Sequence, residues 1–453
     1  MTAGLSAVPV NAFRGGWLGA SYRHYPPPAT WRGGADVDVW TAALESLAQR
    51  PDDALAVEVH LPFCATRCLY CGCDVEATGD ERTIAGYVAA MLREMDGVTA
   101  VAGRQREAVQ IHFGGGTPNH LSDEQLSLLV AGLRERFRVP ADAEWSIECD
   151  PRRCSATQMD SLRRLGFRHL RFGMGDLQPD VQHAVGRLQS LAMMDDVVAM
   201  ARHARFDSVQ VDLVYGLPLQ TERRLRATLD ALLRLGPDRI QCLPYLHEPS
   251  RFWPQSAIDR DAVPGAAARA RQWEVVVETL SDAGYAWIGA DLFVLDDDAL
   301  ATAHQRGELR RNALGYATVP AQHLLAFGCG RVSEVGSVLV ASEPSRQAWQ
   351  QALDAGRWPI VASHCRSAAE RRRRRAIERL QCELALPAAI AAQGLAHEYE
   401  RLAACSSLGW VVTQGDLLRV TRSGHLCLDA LCAVLDGAAR PPSSAAAAPP
   451  RVH

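Results

Sequence analysis

Residues 54–73 read ALAVEVHLPFCATRCLYCGC. The first eight residues, Ala54–Leu61, form an apolar-rich run of strand length that suits a buried strand. The run passes almost directly into Cys64, Cys68, Cys71 and Cys73, four thiols within ten residues. A buried strand that ends in a reactive loop is the repeating unit of α/β folds whose sites lie at the strand C-termini.

The pattern continues downstream. Val109–Phe113, Trp145–Cys149, His169–Gly173, Ser208–Tyr215, Arg239–Tyr245 and Tyr285–Ile288 read as strands. Helical periodicity separates them at Ile84–Val101, Asp123–Phe137, Ser155–Leu165, Leu191–Ala204, Glu222–Leu235 and Ala266–Ala283. Strands alternating with helices of ten or more residues predict βαβ units and a parallel sheet. Six or seven such units predict an α/β fold of the partial parallel (β/α)6 barrel type, with a doubly wound open sheet as the competing architecture.

The expected organisation is an N-terminal arm over 1–53, the barrel over 54–300 and a barrel extension over 301–360. A small, mainly helical C-terminal domain over 361–436 and a low-complexity, disordered tail over 437–453 complete it. Tyr22, Tyr25 and Pro26–Pro28 read as an extended arm, Leu408–Val420 as a short strand pair, and Leu426–Leu435 as a last helix.

The chain has 453 residues, 48% hydrophobic and 22% charged, with a net charge of −4. This is globular usage, and it argues against a globally basic nucleic-acid binder. Lys is absent, so the 48 cations are all Arg. That excludes a catalytic Lys, a Schiff base and a P-loop Lys. No run of 18 apolar residues and no signal-like N-terminus is seen, so the expected location is cytoplasmic, with no membrane partner. Thirteen Cys in such a chain point to metal or redox chemistry rather than a disulfide framework.

Cys64, Cys68 and Cys71 have CxxxCxxC spacing. Three thiolates so placed can wrap three corners of a [4Fe–4S] cluster. Zinc usually takes two separated pairs, and no second pair is present. The fourth iron would then be open to the amine and carboxylate of S-adenosylmethionine (SAM), whose reductive cleavage gives a 5′-deoxyadenosyl radical. The spacing of Cys73 after Cys71 strains ligation of the same cluster, so Cys73 reads as a thiol on the substrate side or just behind the ligands. Gly114–Gly116 allows close backbone approach and predicts exposed N–H groups for an anionic ligand. Glu148 ends its strand on the side where barrel sites form.

These motifs resemble the radical SAM superfamily and, more narrowly, the oxygen-independent coproporphyrinogen III oxidase (coproporphyrinogen dehydrogenase) family. The resemblance rests on HLPFCATRCLYCGC at 60–73, FGGGTP at 113–118, SIECDP at 146–151, VDLVYGLP at 211–218 and RRNALGY at 310–316. It runs from about Ser21 to Asp436. It implies Cys64, Cys68 and Cys71 as cluster ligands. It implies SAM contacts from Tyr70, Gly115, Gly116, Thr117, Glu148, Arg187, Asp212 and Val332, with Cys73 and Glu148 as catalytic residues. It also implies two SAM molecules, a small-molecule substrate and a reductant such as flavodoxin or ferredoxin.

Four positions depart from the oxidase pattern. Glu58 stands for a Tyr, Gly175 for a Gln, Leu292 for a His and Asp429 for an Arg. A tetracarboxylate porphyrinogen needs cationic partners. The departures therefore favour a divergent member that uses its second SAM as a methyl or methylene donor. Its chemistry would be C-methylation or cyclopropanation of a natural product in antibiotic biosynthesis, with a partner methyltransferase. The alternative is the oxidase reaction itself, in which propionates become vinyl groups during porphyrin biosynthesis. Cys73 argues against a non-catalytic haem carrier.

The remaining features read as structural. Arg371–Arg375 is expected on a solvated helix face, His112 as an ordinary polar residue, and Phe252 and Trp253 as core.

Overall fold

The computed structural model describes residues 22–436; the expected tail at 437–453 and the start of the arm lie outside them. A single large sheet dominates. Its parallel strands are β1 (Leu55–Leu61), β2 (Arg106–Gly115), β3 (Glu144–Cys149), β4 (His169–Gly175), β5 (Ser208–Tyr215) and β6 (Arg239–Pro244). The intervening helices are Glu81–Ala102, Asp123–Arg136, Ala156–Leu165, Leu191–His203 and Glu222–Leu235. Side-chain oxygens of Asp80, Ser122, Ser155, Ser190 and Thr221 cap their N-termini. The expected six-unit parallel architecture is present.

The sequence misreads one end of the sheet. Ala286–Ile288 is not a further parallel strand; it pairs antiparallel with Leu292–Val294, which pairs antiparallel with β6. The three residues between the two strands leave no room for a crossover helix. On the other side, β1 pairs in parallel with His323–Phe327, from which three antiparallel strands follow: Val332–Val335, Val338–Ser342 and Ile360–Cys365. The last of these crosses the expected boundary at 361. Beyond it, the helix Ala368–Glu383, a small three-stranded sheet and the helix Leu428–Asp436 form the C-terminal part.

Strand alternation divides polar from apolar residues. Trp145 and Ile147, Leu170 and Phe172, and Val209, Val211 and Leu213 are buried in the main core. Residues of opposite parity face inward and stand in register. Glu148 is beside Arg171, Arg171 beside Gln210, and Gln210 beside Arg239. A step further along, Gly173, Asp212 and Gln241 form the next row. The period of two thus lays a charged ladder inside the barrel while the other face packs on helices.

Two expectations at the chain ends are corrected. Tyr22 and Tyr25 do not form an extended arm: both are buried. The Tyr25 hydroxyl donates to Asp436 Oδ1 at 2.5 Å, and that of Tyr22 donates to Oδ2 at 3.4 Å. The run Arg371–Arg375 is only in part a solvated face: Arg371 and Arg375 are exposed, whereas Arg373 and Arg374 are engaged by the protein. Arg373 pairs with Glu398 at 2.7 Å, and Arg374 donates to the Arg311 carbonyl at 3.2 Å. Among the described residues, no helix is long and apolar enough to cross a membrane.

Candidate active site

The cysteine loop leaves β1 and is held from both sides. Gly116 N–H donates to the Leu61 carbonyl at 2.8 Å, and Thr117 N–H to the Phe63 carbonyl at 2.8 Å. Leu69 N–H donates to the Val185 carbonyl at 2.9 Å. Cys64, Cys68 and Cys71 all open onto one cavity of about 870 Å³. Each thiol has one polar neighbour. Thr117 Oγ1 lies 3.2 Å from Cys64 Sγ, Arg187 Nη1 donates to Cys68 Sγ at 3.4 Å, and Cys73 N–H donates to Cys71 Sγ at 3.4 Å. The hydrogen bonds from Cys73 hold the Cys71 thiol below its ordinary pKa. Among the described residues, no three such side chains converge on a single metal ion. A cubane needs its three thiolates at separate corners, and a thiol-lined cavity with a hydrogen-bond partner at each sulfur fits one.

Arg187 is placed by the turn after Pro179–Val185 and is nearly buried. Besides Cys68 it contacts the Gly173 carbonyl and Asp150, the latter at 3.5 Å. It therefore links the cysteine loop to the C-terminal end of β4.

The Gly-rich strand end behaves differently from expectation. Its N–H groups are not exposed. Gly115 N–H donates to Glu148 Oε2 at 3.2 Å, and those of Gly116 and Thr117 are spent as described above. The glycines are required for close approach. A Cβ at Gly115, where φ is +118°, would lie 2.6 Å from His60 Nδ1, and one at Gly116 would lie 2.6 Å from the Phe63 carbonyl.

Glu148 is the best-supported acidic residue of the site. It accepts from Gly115 N–H and is 3.3 Å from His112 Nε2, while His112 Nδ1 contacts Ser146 Oγ at 2.8 Å. Burial opposes its charge, but the hydrogen bond and charge of His112, with Arg171 behind, hold its pKa at about 2. His112 is thus part of the site, which its isolated position in the sequence concealed. Asp212 accepts from Gln210 Nε2 at 2.7 Å. Burial, reinforced by Glu148 and Asp291, raises its pKa to about 6 despite Arg171.

A second cavity of about 700 Å³ continues inward. Cys73, Gly115, Glu148, Arg171 and Asp212 line both cavities, so the two form one chamber. Tyr70 and Thr117 face the cysteine end. Glu58, Asp291, Arg311, Arg331 and Asp429 face the inner end. Val332 lines neither; it begins the strand Val332–Val335 and is buried, and its neighbour Arg331 stands in the wall of the inner cavity. Gly175 has φ +78°, and a Cβ there would lie 3.2 Å from the Tyr70 hydroxyl. Phe252 is buried over Gly72, but Trp253 is 81% exposed rather than core.

Residues 59–232 match the radical SAM superfamily. The chain is 33% identical to the oxygen-independent coproporphyrinogen III oxidase of Pseudomonas aeruginosa, over 92% of this chain and 93% of that protein. It is also 33% identical to the protein of that name from Synechocystis, over 92% of this chain and 91% of that protein. The crystal structure of coproporphyrinogen III oxidase from Escherichia coli superposes with a TM-score of 0.87 at 30% identity, covering 92% of this chain and 98% of that one.

Proposed function

The chain belongs to the oxygen-independent coproporphyrinogen III oxidase family and is a radical SAM enzyme, and from that premise we propose that it converts propionate side chains of coproporphyrinogen III into vinyl groups. The observation that carries this reading is the single chamber, with the thiols of Cys64, Cys68 and Cys71 at one end, Arg171 where the two cavities meet, and arginines 239, 311 and 331 along the inner end. Arginine is the side chain suited to carboxylates.

Bound together, a [4Fe–4S] cluster and SAM supply a hydrogen-abstracting carbon radical. Cys64, Cys68 and Cys71 would hold the cluster, and Tyr70, Gly115, Gly116 and Thr117 would shape the SAM cavity. Glu148, kept ionised and fixed by His112, would be the hydrogen-bond acceptor of that cavity. Arg187 and Asp212 complete that wall, and Cys73 stands where the SAM cavity meets the substrate cavity. In the reaction the propionate β-carbon loses a hydrogen atom. The resulting substrate radical then loses one electron to an external one-electron acceptor and releases CO₂, which leaves the vinyl double bond. A flavodoxin or ferredoxin supplies the initiating electron.

A second reading is favoured by Asp291 and Asp429, two acidic side chains that line the inner cavity where propionates need cations. In that reading a second SAM donates a methyl or methylene group to an sp² carbon of another substrate. Anaerobic turnover with coproporphyrinogen III and SAM carrying a deuterated methyl group separates the two. Vinyl product, CO₂ and unlabelled 5′-deoxyadenosine are expected. Deuterium in 5′-deoxyadenosine without vinyl product would overturn the proposal.

A further inference from the structure

Arg331 differs from the other arginines of the chamber in how it is held. It follows Gly330, at φ +70°, in the turn between two strands. Its N–H donates to Ser342 Oγ at 2.9 Å, and its carbonyl accepts from Ser342 N–H at 2.8 Å, so its backbone is fixed. Nη2 lies 2.9 Å from Glu58 Oε1. Glu58 is 5% exposed in the middle of β1 and cannot move without disturbing the sheet.

The guanidinium is only half used. Nε is buried without a hydrogen-bond partner, although the side chain as a whole is 29% exposed, toward the inner cavity. The exposed part of the guanidinium, not the buried Nε, is what a ligand in the inner cavity can reach. A planar fork fixed on one side and open on the other is suited to one further carboxylate. Arg23 lines the same cavity, is exposed and has no ion-pair partner among the described residues. Cys73 and Glu148 also face this cavity, so a carboxylate on Arg331 would sit beside the residues shared with the SAM cavity.

We propose that Arg331, positioned by Glu58 and assisted by Arg23, is the anchor for a substrate carboxylate in this chain. The proposal rests on the porphyrinogen reading and names the residue that places the substrate. Glu58 stands where the oxidase pattern has Tyr, so an Arg331 held by Glu58 would supply a cation to a cavity that Asp429 makes more acidic.

The test is fluorescence titration of the anaerobically reconstituted enzyme with coproporphyrin III and, separately, its tetramethyl ester. The wild type is compared with Glu58→Gln and the double variant Glu58→Gln/Arg331→Gln, which leaves no unpaired buried charge. The wild type should bind the acid more tightly than the ester. The double variant should bind the acid about tenfold more weakly and the ester unchanged, and Glu58→Gln alone should fall between. Equal affinity of the wild type for acid and ester, or an unchanged acid affinity in the double variant, would overturn the anchor. If the wild type makes no vinyl product yet shows the acid-specific loss, the reaction assigned above falls and the carboxylate site stands. If it makes vinyl product and the double variant binds like wild type, only the anchor falls.

Discussion

Arg187 and Cys68, 119 positions apart in the chain, meet through a hydrogen bond from guanidinium to sulfur at 3.4 Å. The contact places a fixed cation beside one of the three clustered thiols. Arg187→Met should therefore lower kcat/KM by about 10- to 100-fold, the range set by losing one charge-assisted hydrogen bond. Iron content and electron paramagnetic resonance of the reduced protein would show whether the cluster still assembles. Unchanged turnover would remove Arg187 from the site.

Gly116 is tested sterically. A methyl group there meets backbone at 2.6 Å and Cys64 Sγ at 3.0 Å, and neither the backbone nor the anchored thiol gives way readily. Gly116→Ala should cost about 1–3 kcal/mol and lower the iron bound per chain. Gly97→Ala, whose nearest neighbours are ring atoms of Trp358 at 3.7 Å, is the control that should bind iron normally.

Asp429 gives a pH prediction. Burial first, then the charge of Asp291, raises its pKa to about 7, with Arg311 opposing. Because the folded value exceeds the unfolded one, its contribution to stability is full below about pH 4 and is lost as pH rises through 7. Asp429→Asn removes that titration. Its stability gain over wild type should be larger at pH 8 than at pH 5 by about 2–3 kcal/mol, measured by urea unfolding. A gain independent of pH would show that Asp429 ionises freely.

The tyrosine clasp predicts a separation of kinetic constants. Tyr22 and Tyr25 flank Arg23, and both hydroxyls end on Asp436. Asp436→Ala frees the segment that carries Arg23. It should raise KM for the porphyrinogen several-fold, about the loss of one charge-assisted hydrogen bond, with kcat less affected. Limited proteolysis should cut near residue 30 faster than in wild type.

Much of this was legible in the sequence because it is local. Strand-length apolar runs, helical periodicity and thiol spacing each depend on neighbours in the chain. The boundaries of Ser208–Tyr215 and Glu222–Leu235 coincide with the observed ones for that reason. Roles that depend on distant partners were hidden. Nothing near His112 shows that Glu148 waits across an adjacent strand, and nothing near Arg331 points to Glu58, 273 positions away. Gly114–Gly116 was legible as special but not in what it does. The motif marks close approach, and only the fold reveals that the approaching atoms belong to the protein itself.

The clasp on Asp436 also bears on biosynthesis. Residues 60–73 leave the ribosome early, and the parallel strands follow, but the helix carrying Asp429 and Asp436 is made last. Until it docks, Tyr22 and Tyr25 have no acceptor and the inner chamber lacks one wall. Closure of the inner chamber therefore waits for the last described helix, whereas the backbone hydrogen bonds that hold the cysteine loop on both sides join it to residues 116–185.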